Sequence, residues 1–196
     1  MYNAGAYQLT TNELVKSRAL SRAFLVSVFV VLMSLGAYVR IPLYFTPVPI
    51  TLQTLFVFLS GAMLGRRLGC LAQSLYIGLG ALGLPVFQGY GSGVGHIFGP
   101  TGGYLAGFVA ASYIIGAMLE KRPERSLIAT VLAMISGMFI YFLLGAAWLV
   151  ILGIFDIRGA IFAGVVPFLP GDMAKISFAS LIYMKLHKRI KAVLRD

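Results

Sequence analysis

Long apolar runs separated by short polar turns constrain this chain more than any other feature of its sequence. A helix of about 20 apolar residues can cross the ~30 Å hydrocarbon core of a bilayer, where every backbone polar group must be satisfied internally. Prolines, glycines and charged residues divide the sequence into six such runs, which we predict to be transmembrane helices. The predicted helices span residues 19–39, 50–64, 68–84, 101–119, 126–155 and 170–190.

Composition supports a membrane protein with a single domain. Apolar residues make up 59% of the chain and charged residues 11%, whereas charged residues make up about 25% of a typical soluble domain. We therefore predict one all-α domain, residues 1–196, embedded in the lipid bilayer, with residues 1–14 forming a flexible segment. The net charge of +10 lies in the links between apolar runs and not on one soluble module, so we expect no nucleic acid partner.

The positive charges also predict the orientation in the membrane. Thirteen Lys and Arg residues lie in four segments: the N-terminus, the turn at 66–67, the turn at 121–125 and the C-terminus. The loops on the opposite side hold only Arg40 and Arg158. Because loops rich in Lys and Arg stay in the cytoplasm, we predict that both termini are cytoplasmic.

The sequence carries no recognisable catalytic or nucleotide-binding motif. It has no H-E-x-x-H pair for a catalytic zinc and no G-x-x-x-x-G-K-[ST] phosphate loop. The single cysteine, Cys70, lies within an apolar run and lacks a partnered histidine that would activate it. We therefore expect no enzymatic activity, no metal and no cofactor, and any ATPase must be on another chain.

The segment PFLPGDMAK, residues 167–175, places an acid and a base three residues apart where the last apolar run begins. Pro170 suits the first position of a helix, so Asp172 and Lys175 should share one face of that helix. Ionisable residues in a membrane segment are costly unless they are paired or line a cavity, which makes this pair a candidate ligand site. The alternative is a structural ion pair at the helix start, where the helix dipole favours Asp172.

A glycine-rich segment, residues 89–103, separates the third and fourth predicted helices. It holds seven glycines and no Lys or Arg, so we predict a long outer loop whose backbone amides can approach a ligand closely. Gln88, Tyr90 and Tyr104, in and around this loop, can offer hydrogen bonds to such a ligand.

An aromatic pair on the fifth predicted helix is a further candidate. Tyr141, Gly145 and Trp148 are spaced at i, i+4 and i+7, so the two rings should flank a notch at the glycine that suits an apolar ring. The alternative is that these aromatics pack against neighbouring helices or mark the membrane interface.

Two motifs together resemble a known family. FGPTGGYLAGF, residues 98–108, and PFLPGDMAK resemble the BioY family, the biotin-specific S components of energy-coupling factor (ECF) transporters. The resemblance covers residues 16–192. It implies a six-helix protein of a prokaryotic plasma membrane that binds biotin from outside and docks on a transmembrane coupling protein carrying two cytoplasmic ATPases. Asp172 and Lys175 match the family's polar ligand-binding pair, and Tyr104 matches part of its pocket.

Small residues at the start of the first predicted helix are a candidate for the coupling contact that the resemblance implies. Ala19, Ala23 and Ser27 repeat every four residues, which makes a flat strip that another helix can approach closely. The alternative is that the strip packs inside the chain.

The chemistry of biotin suits a pocket of this composition. Its ureido group offers two N–H donors and one acceptor, and its tail ends in a carboxylate, so one carboxylate, one ammonium and aromatic walls are complementary to it. Lys175 could meet either the carboxylate or the ureido oxygen, and we favour Asp172 on the ureido N–H side. A self-sufficient secondary transporter for biotin or another small carboxylated vitamin is the alternative function, with Asp172 carrying a coupling proton.

Overall fold

The computed structural model describes the backbone of residues 4–120 and 126–195, and the side chains of residues 18–120 and 126–194. Helices dominate the described chain, and two short strands form an antiparallel pair. The elements are α1 (Ala4–Tyr38), β1 (Arg40–Ile41), β2 (Ile50–Thr51), α2 (Gln53–Ala81), α3 (Val94–Ile97), α4 (Gly102–Glu120), α5 (Leu127–Ile151), α6 (Ile157–Gly164) and α7 (Leu169–Arg195), with 3-10 turns at Gln88–Tyr90 and Val166–Phe168. Residues 4–14 belong to α1, residues 1–3 lie outside the described part, and the flexibility of residues 1–14 stays a prediction.

Helix α2 is folded back on itself at Gly65. This residue has φ of 80°, a left-handed conformation that favours glycine, and a β-carbon there would collide with the side chain of Glu120. The amide of Gln53 donates to the hydroxyl of Tyr76 at 2.8 Å, although residues 23 positions apart would be about 35 Å apart in a straight helix. The two halves of α2 are therefore antiparallel, and they correspond to the second and third predicted helices.

The all-α membrane fold predicted from the sequence is confirmed. In the described part of the chain, five helices are long and apolar enough to cross a membrane. Because α2 doubles back, six apolar segments lie side by side. Helix α5 ends at Ile151, earlier than the predicted residue 155, and α7 begins at Leu169, one residue before Pro170.

The segment between α1 and α2 contains two paired strands at the boundaries of the first two predicted helices. Arg40 pairs with Thr51 and Ile41 with Ile50, so a β-hairpin closes here and the helix starts at Gln53 instead of residue 50. The first half of α2, residues 53–64, is only about 18 Å long, which is shorter than the ~30 Å hydrocarbon core. The hairpin therefore lies within the remaining depth of the membrane, beyond the start of α2. Irregular backbone at membrane depth is tolerated where it is buried in protein or lines a cavity.

The glycine-rich segment is more structured than a long loop. It contains the 3-10 turn Gln88–Tyr90 and the short helix α3. The ring of His96 stacks on Phe87, with the ring centres 4.7 Å apart and the planes at 13°. Burial lowers the pKa of His96 below its usual value, and the Nε2 atom of this half-buried ring has no hydrogen-bond partner among the described residues.

The two ends of the bundle differ in character. We call the end that contains Gly65 and Glu120 the basic end, and the opposite end, which contains β1, β2 and Asp172, the hairpin end. At the basic end, Arg66 bonds to the carboxylate of Glu120 through its backbone N–H at 2.8 Å and its guanidinium Nε at 3.2 Å. One groove there is lined by α1 and by Val193 of α7, so the two terminal helices meet at this end. The predicted basic turn at 121–125 lies outside the described residues.

Candidate functional site

A cavity lies at the hairpin end between α2, α4, α5 and α7. It holds about 470 Å³ of empty space, part of it open to solvent. Its wall is mostly apolar and aromatic, with an acid and a base on one side. The lining residues are Val48, Pro49, Thr51, Gln53, Thr54, Gln88, Thr101, Tyr104, Leu105, Phe108, Tyr141, Phe142, Phe168, Asp172 and Lys175.

Asp172 is the most deeply buried charge in this wall. Its residue is 2% exposed and lies in the first turn of α7. Three groups donate to its carboxylate: the Thr54 hydroxyl at 2.7 Å and the Lys175 ammonium at 2.8 Å to Oδ1, and the Tyr141 hydroxyl to Oδ2. A buried carboxylate is tolerated only with such partners, so this site is built to hold a negative charge.

Lys175 uses all three of its ammonium hydrogens. Besides Asp172, it donates to the Thr51 carbonyl at 2.6 Å and to the Thr54 hydroxyl at 2.9 Å. The pair therefore does more than cap its own helix, because it ties α7 to β2 and to the first turn of α2. A ligand group that meets the Lys175 ammonium must replace one of these three acceptors.

Thr51, Gln53 and Thr54 are cavity residues that the sequence analysis missed. The Thr51 hydroxyl donates to Gln53 Oε1 at 3.2 Å, and Gln53 in turn donates to Tyr76. The signal was present as the polar pattern T-L-Q-T at the start of an otherwise apolar helix, directly after a proline-rich turn. Polar side chains within a membrane segment favour a cavity wall over a lipid-facing surface.

Gln88 and Tyr104 line the same cavity as the acid–base pair. The Tyr104 hydroxyl donates to the Gly164 carbonyl at 2.7 Å, so its ring faces the cavity while its polar atom is already paired. The Gln88 amide donates to the Thr101 hydroxyl at 2.9 Å. Five of the seven predicted ligand residues therefore surround one space: Gln88, Tyr104, Tyr141, Asp172 and Lys175.

Tyr90 and Trp148 do not line this cavity. Tyr90 is 70% exposed, and its ring lies 4.7 Å from that of Tyr38. The indole N–H of Trp148 donates to the Gly99 carbonyl at 2.9 Å. The notch at Gly145 is filled by the Tyr104 ring, with which a β-carbon on Gly145 would collide.

The small-residue strip of α1 faces away from the bundle. Ala19, Ala23 and Ser27 are all exposed, whereas Val26 and Phe29 on the same helix are buried in the core. Ala23 and Ser27 line the groove at the basic end. Packing of the strip inside the described part of this chain is therefore excluded.

The described residues contain no cluster of three His, Cys, Asp or Glu side chains that could hold a metal ion. The polar chemistry of the cavity consists of one carboxylate, one ammonium, hydroxyls and amides.

Comparison with known proteins identifies the family. The family model described as the BioY family matches residues 9–192. The chain belongs to the BioY family. The chain is 43% identical to the "Biotin transporter BioY" of Thermotoga maritima over 162 residues, which is 82% of this chain and 92% of that protein. It is 40% identical to the "Probable biotin transporter BioY" of Pyrococcus horikoshii, covering 83% of this chain and 93% of that protein.

A solved structure of this fold supports the assignment. The S component for biotin from an ECF-type ABC transporter superposes with a TM-score of 0.79 at 28% identity, covering 90% of this chain and 93% of that one. The family match includes the cavity, the α1 strip and the basic end. This BioY-family chain is therefore an integral membrane protein of a transporter family and not of an enzyme family.

Proposed function

We propose that this chain is the membrane-embedded biotin-binding subunit of a vitamin uptake transporter. The observation that carries the proposal is the pair of the buried Asp172 and the half-buried Lys175, 2.8 Å apart on the wall of a cavity lined by aromatic rings. Its relatives are named biotin transporters. In a membrane protein, a buried acid–base pair beside a cavity is the expected mark of a substrate site.

The contacts suggest how biotin is held. The Asp172 carboxylate has about four lone-pair sites, three of which accept hydrogen bonds from the protein. One acceptor site remains, and a ureido N–H can occupy it. The rings of Phe108, Phe142 and Phe168 line the cavity, and in this proposal they enclose the apolar part of biotin.

Biotin is moved by an energy-coupling module in this proposal. A transmembrane coupling protein docks on the exposed strip of Ala19, Ala23 and Ser27, and two cytoplasmic ATPases hydrolyse the ATP. The exposure of these small side chains supports this contact, because a second helix can approach them closely. The basic end then faces the cytoplasm, the hairpin end faces outward, and the chain itself needs no cofactor.

A self-sufficient secondary transporter is the second candidate. It is favoured by the burial of Asp172, since an ionisable residue inside a membrane protein can carry a coupling proton. Reconstitution separates the two functions: uptake of biotin into vesicles that contain this chain alone, driven by a proton gradient, supports the second candidate. Uptake that needs the coupling protein, the ATPases and ATP supports the first.

Ligand identity is tested on the purified chain. We expect native mass spectrometry to detect bound biotin, and calorimetric titration to show saturable binding with one ligand per chain. Valeric acid, which keeps the carboxylate and the tail but lacks the ureido ring, serves as the matched control and should not compete. Absence of biotin binding by a monodisperse, folded preparation would refute the proposed ligand.

A further inference from the structure

The Thr54 hydroxyl stands between the two charges of the cavity wall. Its oxygen lies 2.9 Å from the Lys175 ammonium and 2.7 Å from Asp172 Oδ1. The roles in this chain of bonds are fixed by chemistry, because an ammonium can only donate and a carboxylate can only accept. Thr54 therefore accepts from Lys175 and donates its single proton to Asp172.

We infer that Thr54 is a positioning residue for the ligand, and that its hydroxyl holds Asp172 and Lys175 in the geometry that binds it. The inference rests on the proposed function. Asp172 and Lys175 come from one helix, whereas Thr54 comes from the first turn of α2, 118 and 121 residues earlier in the chain. The hydroxyl thus fixes the charges of α7 relative to the opposite wall of the cavity.

Other contacts do not replace this one. Tyr141 bonds to Oδ2, and this single bond from outside α7 lets the planar carboxylate turn about the contact, whereas bonds to both oxygens fix its plane. Without the Thr54 hydroxyl, one Lys175 hydrogen loses its acceptor and Oδ1 keeps only Lys175 as a donor. Lys175 keeps the Thr51 carbonyl and Asp172 as acceptors, but the carboxylate can turn, and its remaining acceptor site is no longer directed at a fixed point.

Valine isolates the hydroxyl from the rest of the side chain. Thr54 is 8% exposed and lines the cavity, so its methyl group also contributes to the wall. Thr54→Val keeps a branched side chain of similar volume and removes only the hydrogen bonds, whereas Thr54→Ser keeps the hydroxyl and removes the methyl group. A comparison of the two assigns any loss of affinity to one group or the other.

The test is calorimetric titration of biotin into the full chain and its variants. Hydrogen bonds to charged groups predict that Thr54→Val weakens binding roughly 10- to 100-fold, while Thr54→Ser stays within about 3-fold of the unchanged chain. A double-mutant cycle with Asp172→Asn supplies the readout that a structural role would not move. If Thr54 acts through Asp172, adding Thr54→Val to Asp172→Asn costs less than about 2-fold.

Each alternative result overturns the inference. Unchanged affinity in a folded Thr54→Val variant means that the hydroxyl does not position the pair, and full additivity with Asp172→Asn means that Thr54 acts independently of it. If Thr54→Val does not fold, Thr54→Ala is titrated in its place, and failure of both to fold while Thr54→Ser folds assigns a purely structural role. Lack of biotin binding by the unchanged chain refutes the proposed function itself, and only binding by that chain with normal affinity in the variants refutes the role of Thr54 alone.

Discussion

The start of α7 and the start of the membrane-crossing part of α1 carry similar sequence signals but have opposite surroundings. Asp172 and Lys175 are three residues apart and point into the protein, where Asp172 is 2% exposed. Ala19 and Ala23 are four residues apart, and both are exposed on the outside of the bundle. Spacing predicts that two side chains share a helix face, but the tertiary fold decides whether that face meets a cavity or a partner.

Substitutions in the two regions should therefore have different effects. The α7 region holds charges in a network of directed hydrogen bonds, so a change there should alter ligand affinity. The α1 strip offers small exposed side chains beside a groove, so a change there should alter assembly and leave the ligand site intact. The predictions below test this separation, from the largest expected effect to the smallest.

The largest effect is expected at the strip. Changing both Ala19 and Ala23 to Trp puts two large side chains where a partner helix must approach, so co-purification with the coupling module should be lost completely. Biotin affinity should stay unchanged, because neither residue is near the cavity. Leu143→Trp, at an exposed position of α5, is the matched control and should still assemble. Loss of biotin binding in the double variant would show that the two regions are not independent.

The second effect is on affinity. Truncating one partner of a buried, hydrogen-bonded charge pair typically costs ~2–5 kcal/mol, so Asp172→Asn and Lys175→Met should each weaken biotin binding roughly 30-fold to several thousand-fold. Asp156→Asn is the matched control, since Asp156 is exposed and caps α6, a role that Asn also fills. Near-native affinity in both folded variants would support the alternative of a structural ion pair.

A third test asks whether the cavity depends on tight packing that the strip lacks. Gly145→Ala places a methyl group where it overlaps the Tyr104 ring, so the substitution should destabilise the protein by about 1–3 kcal/mol. Gly78→Ala places the same methyl group where no atom lies within 4 Å, and it should be neutral or stabilise by up to about 1 kcal/mol. Thermal unfolding in detergent measures both, and equal melting temperatures would contradict the packing described around Tyr104.

The smallest effect is a pH dependence confined to the hairpin end. Burial lowers the folded-state pKa of His96, so the neutral ring is favoured and its contribution to stability is lost as pH falls below the unfolded value of about 6.5. His96→Phe keeps an aromatic ring to stack on Phe87 and removes the titration. The unchanged chain should therefore lose more thermal stability than this variant between about pH 7.5 and about pH 5.5, and identical losses would contradict the effect.

Local features of the sequence predicted most of the helices and five of the residues that line the cavity. Apolar runs and glycine or proline breaks predicted the helices, including the return of the chain at Gly65, and the spacing of Asp172 and Lys175 predicted their shared face. Thr54 was not predictable as their partner, because the contact joins residues 118 positions apart. The partner of Trp148 was not predictable for the same reason, since its indole N–H donates to the Gly99 carbonyl of another segment.

The most direct test of biotin in this cavity uses two neighbouring positions with opposite surroundings. In a Cys70→Ser background, Gln88→Cys puts a thiol in the cavity wall, whereas Tyr90→Cys puts one outside it on the same turn. At a biotin concentration of about 100 Kd, the free sites fall roughly 100-fold, so alkylation of Gln88→Cys should slow by a similar factor. The rate for Tyr90→Cys should not change. Equal alkylation rates of Gln88→Cys with and without saturating biotin would contradict the assignment of this cavity as the biotin site.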